Sequence, residues 1–244
     1  MTGARELILG AIRDGLRHAV LPDAEAGAAA TPRAGTAGTV GTAGTAGTIG
    51  TADTAGQEML WRQFTDVLSA LTGRVHRAAS AAEAANIVAA VAAEHGARTC
   101  LSWNGDQLGC DGLLEELASW GLARVTYDLS FDAGQRAAEV PALGDVVLGL
   151  TGSDAAIADA GAIVLASGPG RGRLASLLPP VHVAIVSASR IWPSLPALLA
   201  EVPDLVGRGA NTVVIAGPSR TADIEMTLTH GVHGPKHLHV VVMT

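Results

Sequence analysis

Apolar positions fall into short runs whose spacing switches between the helical and the extended period. Leu9, Ile12 and Leu16 lie at helical intervals, so a short amphipathic helix is expected near residues 5–18, weakened by Gly10 and Gly15. From Gln57 the pattern strengthens. Leu60, Phe64, Val67 and Leu71 mark one helix face, which Gly73 should end. Ser80-Ala81-Ala82-Glu83 reads as a capping box that opens a helix burying Ile87, Val88 and Val91 and closing at Gly96. A strand follows at residues 98–103. A helix capped by Asp111 and stopped by Gly121 comes next, then a strand at 122–127.

The second half alternates with tighter turns. Strands are expected at 145–150, 162–166, 181–187, 211–216 and 238–243. Short helices are expected from Ser153 to Ala160, at 174–178 and at 193–200. Strands alternating with helices predict an α/β fold with a mainly parallel sheet and helices on both faces. Three segments result: an N-terminal helix within 1–23, a low-complexity Gly/Thr/Ala stretch at 24–56, and an α/β domain over 57–244. The middle segment repeats glycine at every third position from Gly35 to Gly50 with almost nothing apolar to bury, which predicts a flexible tether.

Composition narrows the classes. Apolar residues make up 48% of 244 residues, enough for a sizeable core, but aromatics are only 3%, so Ala, Leu and Val must build it. Net charge is −7 and the basic residues are scattered, which argues against a nucleic-acid partner. The only lysine is Lys236, so no P-loop exists. Two cysteines, Cys100 and Cys110, are too few for a disulfide framework or an iron–sulfur cluster, and a zinc site on this pair would lack ligands. No apolar run reaches the ~18 residues of a membrane span, and Glu6, Arg13 and Asp14 interrupt any leader core. A cytoplasmic protein with reduced thiols is expected.

Ligands of open α/β sheets sit beyond the carboxyl ends of strands. Those ends are here rich in Gly, Ser and Thr. Ser167-Gly168-Pro169-Gly170-Arg171-Gly172-Arg173 could bring backbone amides and two guanidinium groups to a small anionic ligand, or form a tight turn with solvated arginines. Thr151-Gly152-Ser153-Asp154 is a second rim, or plain helix capping. Asp159 is a candidate carboxylate or a solvated side chain. Gly217-Pro218-Ser219-Arg220-Thr221-Ala222-Asp223-Ile224-Glu225 is the densest polar run. Its Asp223 and Glu225 suit acid–base work or cation binding, or equally pairing with Arg220 or a remote arginine. Half of the eight histidines, His230, His233, His237 and His239, crowd one tract. His237 and His239 would share a strand face, with His233 and Gly234 in the preceding turn. The tract holds no acidic ligand, and no metal site is assigned to it.

Taken in order, Thr151-Gly152-Ser153-Asp154 with Asp159-Ala160-Gly161, Ser167-Gly168-Pro169-Gly170, Gly217-Pro218-Ser219 with Thr221-Ala222-Asp223-Ile224-Glu225, and Gly231-Val232-His233-Gly234-Pro235 with Leu238-His239-Val240 resemble the LUD domain family. Within it the chain is most similar to the lactate-utilisation C proteins. The resemblance implies the fold of ribose-phosphate isomerases, glucosamine-phosphate deaminases and CoA transferases. It also implies membership of a three-protein L-lactate-oxidising complex whose two other subunits carry the iron–sulfur clusters. No cofactor is then expected in this chain. Asp159 stands where many relatives have Glu, and the Gly/Thr/Ala tract has no counterpart. From the residues read above, Asp159, Asp223, Glu225 and His233 are the catalytic candidates. Thr151, Gly152, Asp154, Ser167, Gly168, Gly170, Arg171, Arg173, Ser219, Thr221 and Gly234 are the ligand-binding ones. The competing class is a freestanding enzyme for a phosphorylated or acyl-CoA-type anion.

Overall fold

The computed structural model describes residues 54–125, 143–222, 228–230 and 234–244. The expected N-terminal helix and most of the Gly/Thr/Ala tract lie outside them.

The described chain begins with helix α1 (Thr54–Ala70), which buries Phe64 and Leu68 completely. Its end differs from expectation. The left-handed residue is Thr72, φ 67°, rather than Gly73. The amides of Thr72 and Gly73 return to the carbonyls of Ser69 and Leu68, the two bonds of a Schellman cap. Gly73 is needed because a Cβ there would strike the Leu68 side chain. Strand β1 (Arg74–Ala78) follows, an element the hydrophobic pattern did not reveal. Helix α2 (Ala81–Glu94) opens on the expected cap, with Ser80 Oγ accepting from the Glu83 amide. The Glu83 carboxylate reaches back one residue further than a capping box, to the Ala79 amide at 2.8 Å.

Strand β2 (Thr99–Ser102), helix α3 (Leu113–Ser119) and strand β3 (Ala123–Val125) come next. Asp111 does not cap α3. Gly112 occupies that position with φ 79°, and no side chain caps the helix. Strand β4 spans Leu148–Gly152, displaced toward the glycine rim from the apolar run expected at 145–150. The short helix expected from Ser153 is instead strand β5 (Ala155–Ile157), paired antiparallel with β6 (Ala162–Ser167). Ser153 Oγ donates to the carbonyls of Ala155 and Val164 rather than receiving helix amides. Alanine's helix preference loses here to burial on both faces. Ala156, Ala158, Ile163 and Leu165 pack into the main core, while Ala155, Ile157, Ala162 and Val164 pack outward with Trp192, Leu198 and Leu205.

The chain continues through a 3₁₀ turn (Arg173–Ser176), strand β7 (Val181–Ser187), β8 (Ile191–Trp192), helix α4 (Leu195–Glu201), β9 (Asn211–Ile215), the hairpin β10 (Arg220–Ala222) with β11 (Leu228–His230), and β12 (His237–Met243). The main sheet has the order β1-β12-β7-β4-β2-β3, and every neighbouring pair is parallel. Helices cover both faces, as expected. Arg77 on one face stacks over Trp61 of α1, and His239 on the other meets His95 at the end of α2. The unexpected part is a second, mixed sheet, β8-β5-β6-β9. It takes two strands, β6 and β9, that the sequence pattern assigned to the parallel sheet.

Candidate functional site

Two places gather the candidate residues. The first lies beyond the carboxyl ends of β2 and β4. Arg171 Nη1 donates to Asp154 Oδ1 at 2.8 Å, and its Nε donates to Gln107 Oε1 at 2.8 Å. The guanidinium carbon lies 5.4 Å from the Trp103 ring centre. Asp154 Oδ2 also accepts the Ala166 amide at 2.7 Å. Asn104 takes the Arg124 guanidinium on its side-chain oxygen at 2.7 Å, and its amide donates to Gly170. Trp103 Nε1 donates to the Gly172 carbonyl at 3.0 Å. The glycine loop is thus tied to the segment 103–107 on nearly every side.

The loop glycines follow suit. Gly170 has φ 72°, and a Cβ there would press on the Asn104 amide. A Cβ on Gly152 would overlap the Gln107 carbonyl oxygen. Close backbone approach explains both without a ligand. Ser167 is buried, and its carbonyl accepts the Ala210 amide. Gly168 faces open space. Arg173 is exposed and enters no ion pair among the described residues.

The second place is a cleft of about 260 Å³ between the start of β7 and β12 and the edge of β9. Its rim is Gly217-Pro218-Ser219 on one side and Gly234-Pro235 on the other, and Val213, Ile215, Leu177 and Leu238 form apolar walls. The Ser219 amide donates to the Pro235 carbonyl at 2.9 Å, which locks the two rims together. At the floor lies His182, fully buried, its Nε2 2.9 Å from Thr151 Oγ1. Burial pushes the His182 imidazole down to about 3, so the ring is neutral. Thr151 is also fully buried and meets the cleft only through His182.

Ser219 and Gly234 therefore line one cleft with Thr151 behind its floor, while Asp154, Gly152, Gly170 and Arg171 form a separate clamp. Asp159 is exposed at the turn end of the β5–β6 hairpin, opposite to Asp154, its amide donating to Pro193. Thr221 lies on β10. Asp223, Glu225 and His233 lie outside the described residues. They belong to the stretch that leaves the rim at Ser219 and returns at Gly234.

The histidine tract has a different outcome. His237 and His239 do share a face of β12, but their partners come from elsewhere. His239 Nδ1 lies 3.1 Å from His76 Nε2 on β1, and the His95 ring lies 4.5 Å from that of His237. Among the described residues no three ligands are placed to share a metal ion. Sequence reasoning missed His182, Trp103, Asn104 and Gln107. His182 had one signal, as the single polar side chain in the apolar run Val181–Val186.

The class defined by this geometry is a parallel α/β sheet with a mixed sheet against one face and a small cleft between them. The LUD domain model matches residues 61–243, and the chain belongs to that family. It is 30% identical over 190 residues to the Lactate utilization protein C of Geobacillus sp. (strain WCH70), covering 75% of this chain and 78% of that one. It is 34% identical over 151 residues to the protein of the same name from Halalkalibacterium halodurans, covering 58% and 61%. The crystal structure of a DUF162 family protein from Deinococcus radiodurans superposes with a TM-score of 0.54 at 24% identity, covering 77% of this chain and 98% of that one.

Proposed function

We propose that this chain serves L-lactate utilisation in the cytoplasm as the subunit without a redox centre. It holds the substrate or its oxidised product while iron–sulfur partner subunits carry the electrons. The observation that carries this reading is the 30% identity, over three quarters of the chain, to a relative named Lactate utilization protein C. The physical chemistry agrees. Oxidising a 2-hydroxy acid to a 2-oxo acid removes two electrons, and no ordinary side chain stores them. The two cysteines are both buried, and burial pushes the Cys100 thiol up to about 11, a poor thiolate donor. The cleft is smaller than the roughly 300 Å³ at which drug-sized sites begin, and its size suits a molecule of a few heavy atoms.

Asp223, Glu225 and His233 are the proposed proton-transfer groups, and Ser219, Thr221 and Gly234 the proposed ligand contacts. Asp159 is the weaker catalytic candidate, because it is exposed at the turn of the β5–β6 hairpin, away from the cleft. The freestanding-enzyme reading needs Arg171 free to hold a phosphate, and its Nε and Nη1 are committed to Gln107 and Asp154. The test is recovery of a tagged chain from lactate-grown cells. Two iron–sulfur proteins should co-purify with it. Recovery of the chain alone from cells that are oxidising lactate would overturn the reading.

A further inference from the structure

We propose that His182 is a neutral hydrogen-bond donor at the floor of the cleft, placed to hold the carbonyl oxygen of a short-chain 2-oxo acid. The choice of acid rests on the lactate reading; the donor role does not.

The argument begins with a count of polar groups. His182 is fully buried and Thr151 beside it is fully buried. Nε2 meets Thr151 Oγ1 at 2.9 Å, and Nδ1 has no partner among the described residues. A neutral imidazole carries one N–H and one bare nitrogen. If Nε2 held the proton, the ring would donate to Oγ1. The threonine proton would then lack an acceptor, and bare Nδ1 would lack a donor. If Thr151 donates to bare Nε2, its own proton is satisfied and only Nδ1–H is left over. The second arrangement strands one group instead of two, and each buried unsatisfied group costs about 1–3 kcal/mol. Thr151 therefore fixes His182 as the Nδ1–H tautomer.

That leaves one orphan donor, itself closed to solvent in this structure, on a residue that lines a cleft. Such a group calls for an acceptor oxygen from a ligand or an ordered water. The walls say which part of a ligand sits there. No ionised side chain lines the cleft among the described residues, and Leu177, Val213, Ile215 and Leu238 surround it. An ionised carboxylate pressed against them would pay a large desolvation cost. A ketone oxygen on a short carbon chain fits both the neutral donor and the apolar wall. Burial holds the ring neutral down to about pH 3, so the donor persists across the physiological range.

The test uses the full chain labelled with ¹⁵N-histidine. Long-range ¹H–¹⁵N spectra should show His182 as the Nδ1–H tautomer, and sodium pyruvate should shift its Nδ1 saturably. Methyl pyruvate, which keeps the ketone and loses the charge, should shift it likewise, while sodium acetate should not. By calorimetry His182→Gln should weaken pyruvate binding about tenfold, the worth of one lost hydrogen bond. Thr151→Val, which releases the tautomer without altering the cleft wall, should weaken it by a smaller factor. An Nε2–H tautomer, or an Nδ1 unmoved by pyruvate, overturns the proposal. Should His182→Gln fail to fold, the spectra of the unaltered chain decide. An unmoved His182 in a chain whose complex oxidises lactate defeats this inference alone. A shifted His182 in a chain that supports no lactate oxidation defeats the functional reading alone.

Discussion

Asp154 and Arg171 meet at 2.8 Å and hold three separate segments together. The carboxylate also takes the Ala166 amide of β6, and the guanidinium also reaches Gln107 and faces Trp103. The Asp154 side chain is only 8% exposed and that of Arg171 29%, so the pair is largely shielded from water and salt. Asp154→Ala should therefore cost about 2–4 kcal/mol, because it strands an amide and a half-buried cation at once. Arg171→Ala should cost less, about 1–2 kcal/mol, since Asp154 keeps the Ala166 amide. The double variant should lie close to Asp154→Ala alone, with a coupling of about 1–2 kcal/mol in urea unfolding. Additive losses would show that the two side chains act independently.

Glycines in the same neighbourhood should differ sharply in tolerance. A Cβ on Gly149 would overlap the Ala175 carbonyl oxygen, a backbone atom that cannot step aside alone. Gly149→Ala should yield little soluble folded protein. Gly168→Ala meets nothing within 4 Å and should melt within a few degrees of the parent. Equal melting temperatures for the two would contradict the close packing of the 3₁₀ turn against β4.

Stability should fall with acid before any carboxylate titrates. Burial, then His76, Arg74 and His95, hold His239 at about 4, and burial holds His182 at about 3, both below the ordinary 6.5. The unfolded chain takes up protons that the folded chain refuses. The stabilisation is complete above 6.5, is lost progressively as pH falls below it, and levels off near the folded values. At pH 5 each histidine costs on the order of 2 kcal/mol relative to pH 7.5. Thermal melting across that range should show the drop, and His239→Asn should reduce it. A flat profile between pH 7.5 and 5 would contradict the burial of both rings.

Much of the architecture was legible because it rests on periodicity and caps. Ser80 and Glu83 announced α2, and Gly96 and Gly121 mark the ends of α2 and α3, each with positive φ. β1 was missed because Arg74-Val75-His76-Arg77-Ala78 offers polar groups on both faces; Arg77 is covered by Trp61 and His76 by His239, which only the fold supplies. β5 was misread because alanine favours helices when nothing packs on its second face. The site was legible as a set of rims, not as a geometry. Ser219 and Gly234 came together across the cleft, but Arg171 turned inward to Asp154, a partner seventeen positions away in the chain. His182 stayed hidden because one polar residue in a buried strand is a weak signal until its unpaired nitrogen is seen.

The most direct measurement is dye-linked L-lactate oxidation by the two proposed iron–sulfur partners, purified with and without this chain. The account predicts that this chain alone is inactive and that adding it raises turnover by the pair at least about tenfold, equivalent to roughly 1.4 kcal/mol of transition-state stabilisation. It also predicts that Asp223→Ala and Glu225→Ala each remove most of that gain while melting like the parent. Full turnover by the two subunits without this chain, or steady turnover by this chain with no partner or added cofactor, would contradict it.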